Sequence, residues 1–463
     1  MTEEAMGAFR TPTRQDWEAA AGKALKDRPL ESLTRADRDG LAVRPLYAEG
    51  DGVEPVFAPR AFDADGRAWD LRTLIETDSP SEANAIVLAD LNGGAASVVL
   101  RGEILADPDP LGVALTDVAM ELAPVGLDAG IDGPEAANAL AVAAKGAPRA
   151  KLMFHMDPLS ASAEAGGAPR PIAEHLTLAA NTAARHAGAY PEATFFLASG
   201  RVVHEAGGTA AQELGFAVAS ALAFLKAGVE AGLSLERAAR GTWLGVSVDA
   251  EYFDALAKVR ALRLIWGGLT APLGLDVPAK IEARSSRRML SRRDPWPNLL
   301  RLTAAGFAGA VGGAEAVVLD GFTRAGGLPD AFARRQARNT QLVLMEEAHL
   351  GRVDDPAAGA WFLDARTRDL ARAGWAEFQR IEGEGGLIAS LTSGAFQARV
   401  AEARAALQAD YAEGRAHLVG VTKFVDAEPR AATATPVPAR AASLGQIEAL
   451  TPLALVADLE AAR

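Results

Sequence analysis

The chain has 463 residues, of which 49% are apolar, and a formal net charge of −13 at pH 7. This length fits one large domain with extensions, or roughly two or three smaller domains, and the apolar content can fill a substantial core. The negative charge argues against a protein that binds duplex nucleic acid or a membrane surface through bulk charge. The absence of cysteine excludes disulfides, thiolate catalysis and thiolate metal sites.

The N-terminal sequence, MTEEAMGAFRTPTRQDW, lacks the apolar core of a signal peptide. No run approaches about 20 apolar residues without a polar interruption, so no membrane span is expected. A soluble, cytoplasmic protein is the simplest prediction.

Residues 1–60 are predicted to form an arm rather than a domain. Trp17, Ala21 and Leu25 have the spacing of one amphipathic helix, whereas the prolines and glycines that follow favour extended chain. Such an arm either packs on its own domain or contacts another subunit.

From Trp69 onward, the pattern alternates between helices and strands. Short apolar runs predict strands at 96–100, 124–127, 151–155, 194–198, 243–248, 280–283, 316–319 and 360–363. Helical periodicity predicts helices at 81–92, 111–122, 134–144, 171–186, 210–228, 253–266, 300–311 and 328–350. Eight strands, each followed by a helix, predict an α/β fold of the (β/α)8 TIM-barrel type. An open doubly wound sheet is the alternative, but the chain lacks a Gly-x-Gly-x-x-Gly phosphate turn.

The end of the predicted barrel is helical. Asp364 is placed to cap a helix whose apolar face includes Trp375 and Phe378. Residues 427–442 are rich in alanine, proline and threonine and are typical of an extended linker. The predicted organisation is therefore an arm (1–60), a barrel (61–426), and a linker with a short tail (427–463).

Several motifs resemble the barrel domain of the methylmalonyl-CoA mutases, which are adenosylcobalamin-dependent acyl-CoA isomerases. They are ARNTQ at 337–341, the acidic pair Glu346-Glu347, Asp355-Pro356 and EGEGG at 382–386. The resemblance implies an N-terminal arm that wraps a partner subunit. It also implies a cobalamin-binding domain after the linker, with the motif Asp-x-His-x-x-Gly. None of the six histidines lies in such a motif, and no room remains for a domain of roughly 120 residues. The resemblance thus implies that this chain binds no cofactor itself.

Active members of the family resemble Trp-x-Ile-Arg-Gln-Tyr-Ala-Gly where this chain has WDLRTLI at 69–75, so Leu74 replaces a tyrosine. They resemble Ser-Gly-Tyr-His-x-x-Glu-Ala-Gly where it has SGRVVHEAG at 199–207. Arg201 replaces the tyrosine there, and Val202 replaces a histidine that hydrogen-bonds the thioester carbonyl. Valine cannot donate a hydrogen bond. In an extended segment His204 would face the same side as Val202; an ordinary loop or rim histidine is the alternative.

Two further family segments are also lost. The arginine-bearing segment that holds the substrate carboxylate has no equivalent between 157 and 186, and His-x-Gln-Thr-Ser is replaced by ARSSR at 283–287. We therefore predict no catalytic, cofactor-binding or metal-binding residue. Leu74, Arg201 and Val202 are degenerate equivalents of functional positions, and bulky side chains are expected to fill the former pocket.

Two other candidate sites are weaker. His204-Glu205 lacks the second histidine of a zinc helix, since Gly208 takes its place. A basic cluster comprises Arg284, Arg287, Arg288, Arg292 and Arg293. It forms either a phosphate or CoA-nucleotide site or, by preference, a solvated or inter-subunit face.

The resemblance is closest to the small, non-catalytic subunit of a heterodimeric methylmalonyl-CoA mutase. In that interpretation a large catalytic subunit carries adenosylcobalamin and isomerises methylmalonyl-CoA and succinyl-CoA. The alternative is the barrel subunit of a split acyl-CoA mutase that uses a separate cobalamin-binding chain. A third interpretation is a CoA-ester binding protein without catalysis.

Overall fold

The computed structural model describes residues 12–26, 28–60, 66–437 and 441–461. The chain divides into two compact units, Met1–Val53 and Glu54–Arg463. In the first unit the helix Arg14–Leu25 starts with a capping box, in which Thr13 and Asp16 each bond the other's backbone amide. A 3-10 turn at Leu30–Leu33 and an antiparallel pair, Arg35–Ala36 with Ala42–Val43, follow. The single predicted helix is confirmed, and its role as an arm around a partner stays a prediction.

The second unit contains a closed barrel of eight parallel strands, which confirms the predicted (β/α)8 TIM-barrel fold. The strands are β1 (Asp70–Glu76), β2 (Ser97–Arg101), β3 (Val125–Leu127), β4 (Leu152–Met156), β5 (Thr194–Ser199), β6 (Thr242–Val248), β7 (Ile281–Ser285) and β8 (Ala316–Val318). Strand β8 closes the barrel because it pairs with both β7 and β1.

Helices surround the barrel and continue beyond it. In chain order they are Pro80–Asn92, Pro108–Ala114, Gly133–Ala143, Pro158–Ala165, Ile172–Ala187, Arg201–Glu205, Ala210–Glu230, Leu235–Arg240, Tyr252–Thr270, Pro297–Val311, Ala331–Leu342, Trp361–Gly383, Leu387–Ser393, Ala395–Ala412 and Leu455–Ala461. A π-helical turn, Val343–Glu347, extends Ala331–Leu342. One further strand pair joins Leu328–Pro329 to Ala434–Thr435.

Alternate residues of each barrel strand face the helices, and the others face the barrel axis. On β1, Leu71 and Ile75 are buried against the helical layer, whereas Asp70 and Arg72 bond to groups of other strands inside the barrel. The outer face supplies the apolar core, so the inner face is free to carry polar groups.

One predicted strand is wrong and one was missed. Residues 360–363 begin the helix Trp361–Gly383, because a four-residue apolar run does not distinguish a strand from a helix start. The missed strand is β1, whose alternating charges hide the apolar outer face. The predicted total of eight strands is therefore right, but it counts residues 360–363 in place of β1.

Two helix predictions need similar correction. Asp364 does not cap a helix; it lies inside Trp361–Gly383, where its carboxylate accepts a hydrogen bond from the Gly359 amide at 2.9 Å and pairs with Arg260. The helix predicted for 111–122 ends at Ala114.

The helix Ala210–Glu230 is long and apolar enough to cross a membrane by length and composition alone. It is the one such helix found among the described residues, and 72% of its apolar window is buried inside the protein. Core helices of this length pass the same test.

Candidate functional site

Ionised side chains fill the inside of the barrel. At the lower end, Arg72 of β1 donates to Asp70 at 2.7 Å and to Glu282 of β7 at 2.6 Å. Glu282 also pairs with Arg284, two residues further along the same face of β7. Arg284 in turn donates to Asp128, beyond β3, at 2.7 Å. These pairs cross the lumen from one wall to the other.

The same line of alternating charges continues to the carboxyl ends of the strands. Asp128 accepts from Arg101 at 2.6 Å, and Arg101 lies 3.5 Å from Glu76. Glu76 accepts from Arg324 at 2.9 Å. We call the complete set the charge ladder: Asp70, Arg72, Glu282, Arg284, Asp128, Arg101, Glu76, Arg324, Asp320 and Arg287. Five cations alternate with five anions, so the ladder is neutral overall.

The charges hold each other in their ionised forms. Burial alone would raise the pKa of Glu282, but the guanidinium groups of Arg284 and Arg72 outweigh it and lower that pKa well below its usual range. Burial would likewise raise the pKa of Asp128, and Arg101 and Arg284 reverse the shift. Burial opposes the charged form of Arg284, yet Glu282 and Asp128 raise its pKa. The pKa shifts of Glu282, Asp128 and Arg284 therefore favour their charged forms at neutral pH.

A small apolar cluster lies next to the Arg72 end of the ladder. Met153, Leu197, Trp243 and Ala316 pack together there. The Arg72 guanidinium lies 4.5 Å from the centre of the Trp243 ring, so a cation–π contact joins this cluster to the ladder. Together, the ladder and this cluster occupy the space along the barrel axis.

A cavity of about 340 Å³ remains beside the carboxyl ends of β1 and β8. Leu74, the degenerate equivalent of the tyrosine, lines it together with Glu76, Asp320 and Arg324. Leu74 therefore lines an open cavity at the rim of the barrel, and the filling of the former pocket stays a prediction. The volume of the cavity is near the lower end of the range for small-molecule pockets.

Arg201 and Val202 start a short helix, Arg201–Glu205, directly after β5. Val202 is 7% exposed and has no polar atom on its side chain. Burial and the nearby Arg284 lower the pKa of Arg201 to about 10. Within the described part of the chain, its Nε atom has no hydrogen-bond partner. Arg201 thus adds positive charge to the upper end of the ladder.

His204 does not face the same side as Val202, contrary to the expectation for an extended segment. Because the segment is helical rather than extended, His204 and Val202 lie on roughly opposite sides of the turn. His204 is 3% exposed, so it is not a rim residue either. Its Nε2 atom lies 2.8 Å from Ser286 Oγ, and its ring lies near Glu213 and Asp249.

The basic cluster is not one solvated face. Arg284 and Arg288 are buried, and Arg288 donates to the carbonyl of His204 at 2.8 Å. Arg287 pairs with Asp320, whereas Arg292 and Arg293 are exposed. The prediction of a solvated face was wrong because Arg284 lies on the inner face of β7. The outer face of this strand contacts helices, so its charged side chains point into the barrel.

Two buried groups at the carboxyl end of β4 escaped the sequence interpretation. His155 has a positive φ of 46°, and neither ring nitrogen has a hydrogen-bond partner among the described residues. Burial lowers its pKa to about 3. Asp157 caps the helix Pro158–Ala165 through the Ser160 amide, and burial raises its pKa to about 7. The one available signal was their place at the end of a predicted strand, where barrel enzymes keep functional groups.

The model of the family described as "Methylmalonyl-CoA mutase" matches residues 111–461. The chain belongs to the methylmalonyl-CoA mutase family. It is 36% identical to the "Methylmalonyl-CoA mutase small subunit" of Streptomyces virginiae over 93% of this chain and 73% of that protein. It is 37% identical to the "Probable methylmalonyl-CoA mutase small subunit" of Mycobacterium tuberculosis (strain ATCC 25618 / H37Rv), over 86% of this chain and 68% of that one.

A third relative is the "Methylmalonyl-CoA mutase small subunit" of Propionibacterium freudenreichii subsp. shermanii, which is 33% identical over 82% of this chain and 64% of its own length. The chain therefore spans about two thirds to three quarters of the length of these curated relatives. The family match reaches Ala461, so it includes the segment that was predicted to be a linker and tail.

Proposed function

We propose that this chain is a non-catalytic small subunit of an adenosylcobalamin-dependent methylmalonyl-CoA mutase. In this proposal it pairs with a large subunit that carries the cofactor and isomerises methylmalonyl-CoA and succinyl-CoA. The charge ladder is the observation that carries the proposal. An acyl-CoA substrate needs accessible donors for its carbonyl and carboxylate groups, but each arginine of the ladder already has a carboxylate partner. Two arginine donor atoms in this region that have no hydrogen-bond partner among the described residues, Arg201 Nε and Arg284 Nη2, are buried.

The degenerate positions support the same conclusion. Leu74 and Val202 offer no hydroxyl or ring nitrogen where active members carry a tyrosine and a histidine. The residues at the barrel mouth do not fit cobalamin either, because His155 and His204 are buried. Among the described residues, no group of three or more histidine, aspartate or glutamate side chains could hold a metal ion.

The test is to assay the purified chain alone and with its co-expressed large subunit. We expect no conversion of methylmalonyl-CoA by the isolated chain with added adenosylcobalamin, and co-purification of the two subunits as an active complex. Turnover by the isolated chain would overturn the proposal. Turnover only after addition of a separate small cobalamin-binding chain would establish the split mutase instead.

A double variant, Leu74→Tyr with Val202→His, separates the two causes of inactivity. We expect this variant to remain inactive alone, because the ladder still occupies the axis. The single variant Leu444→Tyr, at an exposed position, is the matched control for a new tyrosine. Activity of the double variant would show that the lost groups, and not the filled barrel, were the barrier.

A further inference from the structure

Residues 443–461 lie against the mouth of the barrel, which is the face that the carboxyl ends of the strands form. Their backbone amides bond to the loop after β4: Leu444 to Ala165 at 2.9 Å, Gln446 to Gly166 at 3.0 Å and Leu450 to Ala163 at 2.8 Å. The Gln446 side chain accepts from the Ala168 amide at 3.1 Å. This segment is thus fixed to residues 163–168, at the end of the helix Pro158–Ala165.

The fit on the β4 loop depends on two glycines. Gly166 and Gly167 have φ of 75° and 136°. A Cβ atom at Gly166 would lie 2.1 Å from Ser443 Oγ, and one at Gly167 would lie 2.4 Å from Gln446 Oε1. Only glycine combines this backbone with so close an approach.

The segment then reaches the loops after β5 and β7. The Leu453 amide donates to the Glu205 carbonyl at 2.7 Å. Glu460 accepts from Ser291 Oγ at 2.5 Å and from the Arg293 amide at 3.2 Å. Three loops that are distant in sequence therefore share one covering segment.

Apolar burial holds the segment in place. Leu453 and Leu455 pack with Leu407 and Tyr411 of the helix Ala395–Ala412. Leu450 and Leu453 are each 3% exposed. Burial of leucine side chains is a larger source of stability than a single hydrogen bond, so these apolar contacts are the main anchor of the segment.

We propose that residues 443–461 are an intramolecular strap that holds the mouth of the barrel closed along the arc from β4 to β7. The cavity lined by Leu74 lies on the remaining part of the rim, between β8 and β1. A partner domain that docks on the mouth must displace the strap. Because every contact is within one chain, the strap does not depend on the large subunit of the proposed function.

The test is hydrogen–deuterium exchange on the full-length chain. Leu450→Asp with Leu453→Asp places two charges at buried positions and should release the strap. We expect the amides of the β4 and β7 loops, residues 158–168 and 286–293, to exchange at least about 10-fold faster. The decisive amide is that of Arg287, which bonds Glu205 and does not touch the strap. Leu444→Asp, at a 50% exposed position in the same segment, should exchange like the unmodified protein.

The result that overturns the proposal is loss of protection at Leu450 and Leu453 with unchanged exchange at Arg287. In that case the loops hold the mouth closed by themselves. If the aspartate variant does not fold, Gln446→Ala with Glu460→Ala removes the two side-chain ties and keeps the leucines. That variant should still exchange about 3-fold faster at Arg287, and unchanged exchange there would equally overturn the strap.

Discussion

The second unit contains two buried charge networks that have different structural roles. The charge ladder fills the barrel axis with ten side chains that mainly pair with one another. A second network, the Arg260 cluster, lies in the helical layer outside the barrel. It consists of Arg260, Asp355, Asp364 and Thr367.

The Arg260 cluster ties backbone segments together. Arg260 is fully buried and donates to Asp355 at 2.9 Å, to Asp364 at 3.0 Å and to the Val56 carbonyl at 2.6 Å. Asp355 also accepts from the Ala58 amide at 2.8 Å. One cation thereby joins the chain near residue 56, the loop around residue 355 and the helix Trp361–Gly383.

The difference shows two uses of buried charge. In the Arg260 cluster each carboxylate also accepts from a backbone amide, so the network defines loop positions. In the ladder the charges substitute for the apolar layers that usually fill a barrel. Buried ion pairs rarely add stability over a well-packed apolar core. Under the proposed function, the ladder is therefore interpreted as a filling that excludes ligands.

The largest expected effect comes from Glu282→Ala, which leaves Arg72 and Arg284 buried without their shared carboxylate. We expect a loss of about 3–5 kcal/mol in the free energy of unfolding, measured by urea denaturation. Glu236→Ala, which breaks an exposed pair with Arg240, should cost at most about 0.5 kcal/mol. Equal effects of the two substitutions would mean that the ladder is solvated rather than sealed.

A smaller loss is expected for Asp364→Asn in the Arg260 cluster. Asparagine keeps the shape and one acceptor but removes the charge, so about 1.5–3 kcal/mol should be lost. Faster hydrogen exchange should be confined to residues 353–364, because the cluster positions that loop. Asp369→Asn, in an exposed pair with Arg372 on the same helix, is the control. Exchange that accelerates throughout the barrel would remove the distinction between the two networks.

Asp157 is a buried carboxyl group outside both networks, and no guanidinium group of the ladder pairs with it. Its pKa is raised to about 7, so the folded state loses stability as pH rises from about 4 to 7. Asp157→Asn keeps the helix cap and should gain stability relative to the unmodified protein across that window, by about 1 kcal/mol or more at pH 8. Asp107→Asn controls for a changed cap. The measurement is the urea midpoint of both proteins from pH 4 to 8. A stability gain that is largest at pH 4 would contradict the prediction.

The smallest effect is expected at His155. Burial lowers its pKa to about 3, so its ring should stay neutral from pH 5 to 8 in the folded protein. NMR of the ring resonances should therefore show no titration for His155 in this range. The urea-unfolded chain is the control, in which a histidine titrates near pH 6.5. Titration in the folded state would place the ring in contact with solvent.

The loss of functional groups at Leu74 and Val202 stays a prediction, which the sequence allows because both motifs are local. Leu74 and Val202 each stand inside a short motif with recognisable neighbours, so no knowledge of the fold was needed to see what is missing. The barrel was predictable for a similar reason, since buried parallel strands are short apolar runs. β1 escaped because its inner face carries Asp70, Arg72 and Glu76.

The sequence by itself determined the fold class and the absence of the tyrosine and histidine donors. Only the tertiary structure decided what replaced them, because the partners in the ladder are far apart in the chain: Arg72 and Glu282 meet only once β8 has closed the barrel between β1 and β7. The same holds for the strap, whose hydrogen bonds to three loops have no signature in the local sequence pattern. Pairing between distant segments depends on the closure of the barrel, which local patterns do not encode.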